Sequence, residues 1–317
     1  MLLLLTFTVS SCIYDDRSDC VLDIRFVYDY NVKEADAFSS EVKEVTLYIF
    51  DSDGTLIDLR EDGGDGFPAS YSMQMPSLAS GDYTFVALGR NRPVTNPSRE
   101  FGFSNLVKGE SALSDLTMLL NMEDNVCDSE IAALYNGVCE VSLRNGRQSV
   151  TVKMKKLTNR FKIMIMPYRG SGSMESENLN IRIDGDASWL DFKGDKYVQR
   201  PTVYRPFLQK SVSSESDSET EVTSAVVAEL NTSRLLYDDR PTLVITHSED
   251  GRELLRINLA WLLSLQAIDE HRRQWGNQEY LDRQDMYTLT FFVDNGLFIK
   301  STIIVNGWVL NITDVSL

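Results

Sequence analysis

The sequence predicts a mainly-β protein built as two antiparallel β-sandwiches in tandem, with only short helices. Short runs of residues alternate apolar and polar, as half-buried strands require. Gly, Asp and Ser turns break these runs, and helices are not regularly interleaved, which favours sandwiches over a parallel α/β sheet. The length of 317 residues, at roughly 150 residues per domain, gives two domains that can each bury a core.

The elements follow in order. Leu22, Ile24, Phe26, Tyr28 and Tyr30 share one face of a first strand, with Asp23, Arg25 and Asp29 on the other. Val45, Leu47 and Ile49 repeat the pattern, and Asp51-Ser-Asp-Gly54 then offers the chemistry of a hairpin turn before Leu56 and Leu59. Ser80-Gly-Asp82 opens a strand over 83–88, and 150–155 alternates again. Phe161, Ile163 and Ile165 begin a second series, so the seam between domains falls near Leu157. Residues 242–246, 287–293 and 298–305 are rich in β-branched and aromatic types and read as later strands. Helix is expected only over 111–121 and 259–267. Residues 211–220 form a polar, acidic loop of low complexity, and 169–173 break a strand with flexible residues.

The first residues carry an address. MLLLLTFTV is too short to span a bilayer, which takes ~20 residues, and reads as the apolar core of a leader. Leucines follow Met1 directly, where a leader carries positive charge, which points to a leader that begins upstream. Ser10, Ser11 and Cys12 follow, and the chain then turns polar. This order resembles a bacterial lipobox, so Cys12 is the expected site of lipid attachment; the alternative is an ordinary secretory cleavage nearby with Cys12 an incidental thiol. Segments 1–11, 12–20, 21–156 and 157–317 are read as leader, lipidated stretch, first sandwich and second sandwich.

Charge and composition thin the functional classes. With 31 Lys+Arg against 47 Asp+Glu the net charge is −16, so nucleic acid is not an expected partner. The two histidines, His247 and His271, lie far apart in the chain and near no catalytic motif. No serine sits in Gly-x-Ser-x-Gly, and the glycine loops at 63–66 and 170–172 lack a P-loop lysine. Asp51-Ser-Asp-Gly54 misses the EF-hand spacing, since its Gly is fourth and Asp62 stands twelfth. No catalytic residue, cofactor or metal site is expected. Cys127 and Cys139 are close enough in the chain for a loop-closing bridge worth about 3 kcal/mol in an exported protein.

Several landmarks occur in one order: Ser11-Cys12, Ser18-Asp-Cys20, Phe26-Val-Tyr-Asp-Tyr30, Ala35-Asp-Ala-Phe38, Val45-Thr-Leu-Tyr-Ile-Phe-Asp51, Gly81-Asp-Tyr83, Leu134-Tyr-Asn-Gly137, Leu281-Asp-Arg-Gln-Asp285 and Val305-Asn-Gly-Trp308. In this the chain resembles the fimbrial anchor lipoproteins of Bacteroidales, associated with fimbrillin-type (type V) pili. The resemblance implies two tandem transthyretin-like, Greek-key sandwiches and a non-enzymatic lipoprotein on the outer face of the outer membrane. It also implies that the protein holds a fimbria by pairing a strand edge with pilin subunits, the mode in which backbone bonds give affinity. Residues 298–317 are one candidate edge, although they could simply complete the second sandwich. A second reading is a surface glycan- or ligand-binding lipoprotein gripping sugars with exposed Trp189, Trp261, Trp275 or Trp308. A third is a hydrolase with two acids roughly 5 to 9.5 Å apart in one cleft.

Overall fold

The computed structural model describes residues 21–144, 148–168, 175–214, 223–265, 274–294 and 297–311. The leader, Cys12, Cys20, His271, the 170–172 loop and residues 312–317 lie outside the described residues.

The first part lays down β1 (Val21–Val27), helix α1 (Phe38–Glu41), β2 (Glu44–Phe50), β3 (Leu56–Gly63), β4 (Met73–Pro76), β5 (Gly81–Arg90), β6 (Phe101–Phe103), β7 (Thr117–Leu120), β8 (Val126–Cys127), β9 (Leu134–Leu143), β10 (Gln148–Lys153) and β11 (Lys155–Lys156). The second continues with β12 (Thr158–Pro167), β13 (Leu179–Gly185), β14 (Trp189–Asp191), β15 (Thr202–Tyr204), β16 (Leu208–Ser214), β17 (Thr223–Ser233), β18 (Thr242–His247) and β19 (Glu253–Asn258). Helices α2 (Leu259–Ser264) and α3 (Asn277–Arg283) and strands β20 (Met286–Asp294), β21 (Leu297–Val305) and β22 (Trp308–Asn311) complete it.

The fold is mainly β, as the alternation predicts. Sheet β10-β1-β4 faces sheet β11-β9-β5-β2-β3 to form the first sandwich. Sheet β16-β17-β12-β20-β21-β22 faces sheet β19-β18-β13-β15-β8 to form the second. Most pairings are antiparallel, but β1 with β10, β12 with β20 and β15 with β8 run parallel. Each sandwich therefore starts with a strand held between one parallel and one antiparallel neighbour.

The cut at 156/157 falls between β11 and β12, yet pairing crosses it. β7 pairs with β14 in a small sheet β14-β7-β6, and β8 pairs with β15. The cause lies in β2 and β5, which carry apolar residues in unbroken succession, Tyr48-Ile49-Phe50 and Phe85-Val86-Ala87-Leu88, all buried. A strand buried on both faces reads as a continuous apolar run. Leu47, Ile49, Phe85 and Ala87 face the first core, while Tyr48, Phe50, Val86 and Leu88 join a core shared with the second sandwich. Leaving such side chains in water would forfeit roughly 1.5–3 kcal/mol each, so the second face must be covered.

One helix expectation is corrected by this arrangement. Residues 111–121 form a single 3-10 turn, Leu113–Asp115, followed by strand β7. Leu116, Met118 and Leu120 are fully buried at period two, and β7 is hydrogen-bonded on both sides, which no helix could satisfy. The other helix stands as α2 over Leu259–Ser264, capped by the Asn258 side chain, which accepts from the Trp261 N–H.

Behind the seam sits a buried arginine. Nε and Nη2 of Arg234 donate to the two carboxylate oxygens of Asp282, each at 2.7 Å, and Nη1 donates to Gly194 O and Asp195 Oδ1, also at 2.7 Å. Gln278 adds a 3.0 Å bond to Asp282 and fixes Leu235 and Tyr237 through their backbones. We predict that Asp282→Ala, which strands a buried guanidinium without its main partner, lowers unfolding free energy in urea by about 3–5 kcal/mol. Removing the exposed Arg256–Glu253 pair should change it by less than about 1 kcal/mol.

Candidate functional site

The candidate site is a strand edge that is open among the described residues. Val305-Asn-Gly-Trp308 makes a two-residue hairpin in which Asn306 and Gly307 have φ of 49° and 87°, the left-handed values of a type I′ turn. Asn306 also ties the turn to β20: its side-chain oxygen accepts from Thr288 N and its N–H donates to Thr288 O, both at 2.7 Å. In such a hairpin the pair flanking the turn exchanges both bonds and the next pair exchanges none. Val309, opposite Ile304, therefore turns its N–H and C=O away from β21. Among the described residues β22 pairs with no strand but β21.

The side chains there are apolar. Trp308 shares a face with buried Val305, but it lies one strand beyond β21, against which the facing β19 packs, and it is 59 % exposed. Val309 is 55 % exposed. Other edges are blunted. β3 carries Arg60, Glu61 and Asp62, β19 carries Glu253 and Arg256, and β4 ends in Pro76. The opposite edge of the β22 sheet, β16, is covered by the turn Ser176–Asn178, since Gln209 donates to Ser176 O and the Ser211 hydroxyl accepts from Ser176 N.

Several of the landmark residues sit at turns and at the junction of the sandwiches, while others, such as 45–50 and 134–137, lie within strands. Asp36 Oδ1 accepts from Tyr28 N and Phe38 N, fixing the chain after β1. Asn136 donates to Phe192 O across the seam, and a Cβ on Gly137 would stand 2.5 Å from Lys153 O. Asp285 pairs with Lys156, which also reaches Glu41 at 3.2 Å. The Arg283 guanidinium lies 4.2 Å from the Tyr30 ring centre, a cation–π contact from the second sandwich to the first, and 4.6 Å from the ring centre of Trp275 in its own sandwich. A cleft of about 660 Å³ opens beside it, lined by Tyr30, Asn136, Lys153, Lys155, Lys193 and Arg283. Burial holds the Lys155 ammonium below the usual lysine range.

The remaining sequence candidates disperse. Cys127 and Cys139 are both free. The bridge weighed from their spacing is not made, because Cys127 sits in the shared core and Cys139 lies on β9 against the first. Burial pushes the Cys127 thiol up to about 11. Asp51 organises its own hairpin, its Oδ1 accepting from Asp53 N and Thr55 N at 3.0 and 2.8 Å. His247 ends β18 with Nδ1 3.4 Å from Asp250. Trp275 is buried, Trp189 and Trp261 are half-buried, and Trp308 is the exposed member of the four.

Sequence reading had no means of locating a carboxylate pair, and the structure supplies one. Asp186 and Asp239 both approach Lys196 Nζ, at 3.4 and 2.6 Å. The adjoining void of about 10 Å³ holds one water at most, so it does not admit a sugar ring as a glycosidase cleft must.

A sequence profile of the fimbrillin-A associated anchor proteins Mfa1 and Mfa2 matches residues 17–314. The chain belongs to this family. The fold is similar to that of a Bacteroides thetaiotaomicron protein described as a candidate polysaccharide-binding protein, at 27 % identity over 93 % of this chain and 99 % of that one, with a TM-score of 0.78. A candidate adhesin from the same organism matches at 27 % identity over 92 % and 97 %, TM-score 0.79. The fimbrial anchor protein Mfa2 from Porphyromonas gingivalis shares the fold at 19 % identity over 92 % and 98 %, TM-score 0.65. No match is found among proteins of curated function. Membership of the anchor family makes the chain a fimbria-associated surface protein. Among the described residues no helix is long and apolar enough to cross a membrane.

The acid pair gives a pH test. Burial, and then the neighbouring Asp239, raises the Asp186 carboxyl above the usual range. A carboxyl raised in the fold contributes stability below its unfolded pKa, and that contribution is lost as pH rises through the folded value. Asp186→Asn keeps the neutral form, so its unfolding free energy should fall less than the parent's between about pH 4 and pH 7, as read by urea titrations at each pH.

Proposed function

We propose that this anchor-family protein is a lipoprotein, tethered through Cys12 to the outer membrane, that holds a fimbria by adding a strand of a pilin subunit to the β22 edge. The observation that carries the reading is that among the described residues the outer edge of β22 pairs with no strand, on a chain whose family profile spans nearly its whole length. Val309 offers a backbone donor and acceptor to an incoming strand, and Trp308 offers an apolar surface beside them. Backbone bonds would supply affinity and alternate side chains the register. The reaction chemistry of an enzyme is not needed for this role.

A second reading has one observation in its favour, the 59 % exposure of Trp308, which would suit stacking on a sugar ring. The two readings separate at the backbone. Val309→Pro removes the outward N–H and leaves the hairpin bonds and Trp308 in place, and proline is tolerated on an edge whose N–H faces solvent. On the anchor reading, this variant keeps its thermal midpoint and loses co-purification with fimbrial subunits. Undiminished co-purification would exclude β22 as the contact.

The tether has its own test. Cys12→Ala should move the protein from the membrane fraction to the soluble fraction or the medium, since one or more acyl chains supply the membrane affinity at ~0.8 kcal/mol per buried methylene. Unchanged retention in membranes would remove the lipid from the reading.

A further inference from the structure

We infer that the first strands of the two sandwiches, β1 and β12, are shear clamps arranged in series to carry tension along the chain. The inference rests on the anchoring reading for the source of the load, a tether on the N-terminal side of β1 and a fimbria on the second sandwich.

The argument comes from strand direction. β1 pairs in parallel with β10 over six consecutive positions, from Leu22 opposite Gln148 to Val27 opposite Lys153, and Met154 N extends the ladder with a 2.8 Å bond to Val27 O. Tension enters β1 at Val21. It leaves the first sandwich at the end of β10, because the chain runs on through β11 directly into β12. In a parallel pair these two points lie at opposite ends of the ladder, so the pull acts along the strands. Rungs loaded in that direction share the force and must break together, whereas rungs pulled from one end break one after another.

The same device recurs in the second sandwich. β12 pairs in parallel with β20 over eight positions, from Arg160 opposite Met286 to Pro167 opposite Val293. Load entering at Thr158 and leaving beyond Asp294 again pulls opposite ends. Both strands are held from the other side as well, β1 by β4 and β12 by β17. Slippage is also opposed. Leu22, Ile24 and Phe26 of β1 and Phe161, Ile163 and Ile165 of β12 are fully buried, and a one-residue slip would turn every one of them out of its core.

Between the clamps, the ion pair of Lys156 with Asp285 and the Arg283 contact with Tyr30 join the sandwiches. The shared core does so too. Tension therefore reaches the second clamp without first opening a linker.

Forced unfolding is governed by the barrier and its loading direction, not by equilibrium stability. The test uses one folded protein, the full chain, pulled in two geometries by optical tweezers or atomic force microscopy. Handles at the N-terminal end and on exposed Lys153 load the β1–β10 ladder in shear. Handles at the N-terminal end and on exposed Arg144, just before β10, peel the same ladder from one end. The expected result is a severalfold higher unfolding force in the first geometry at equal pulling rate. Equal forces, or a weaker shear geometry, would overturn the clamp. The isolated chain is pulled without membrane or fimbria, so this outcome is independent of the Cys12 fractionation that decides the tether.

Discussion

The architecture depends on two adjacent strands of the five-stranded sheet, β2 and β5, whose apolar runs are buried on both faces. Strands β2 and β5 present one set of side chains to the first core and the alternate set to a core shared with the second sandwich. Apolar area on that second face can be removed from water only by another layer, and the layer is drawn from both parts of the chain: β6 and β7 from the first, β14 from the second. Two modules that a linear reading separates at Leu157 are thereby fused into a body whose strands are exchanged across the seam.

Once the sandwiches share a core, the polar groups at their boundary lose water and must find partners. Arg234 and Asp282 answer that demand bidentately, with Asp195, Gly194 O and Gln278 completing the shell. Arg283, next in the chain after Asp282, points its guanidinium the other way, onto Tyr30. The segment Leu281-Asp-Arg-Gln-Asp285 thus contributes three consecutive kinds of lock: a buried apolar residue, a buried ion pair and a contact across the seam.

Where such a protein meets its partner follows from how its edges are treated. Charges, a proline and a covering turn blunt the edges β3, β19, β4 and β16, each a standard defence against unwanted strand pairing. Among the described residues, the short strand after the Asn306-Gly307 turn has none of these. An edge without such protection is the economical place to expect a strand from outside, and among the described residues this one lies on the second sandwich.

The sequence by itself determined the strands that alternate apolar and polar residues, β1, β10 and β12 among them, and the turn at Asp51-Ser-Asp-Gly54, where Asp-Gly imposes its own backbone geometry. Period two is a local property, written in consecutive residues. It determined the family as well, through landmarks in fixed order. Tertiary structure alone decided that Leu116, Met118 and Leu120 extend as β7 and do not coil, because the sheet neighbours that satisfy β7 come from β6 and from β14, far along the chain. It decided that Cys127 and Cys139 stay apart in different cores, that Asp186 and Asp239 converge on Lys196, and that β1 and β10 run parallel. Each of these depends on which distant segments meet, and local periodicity carries no information about direction or partner.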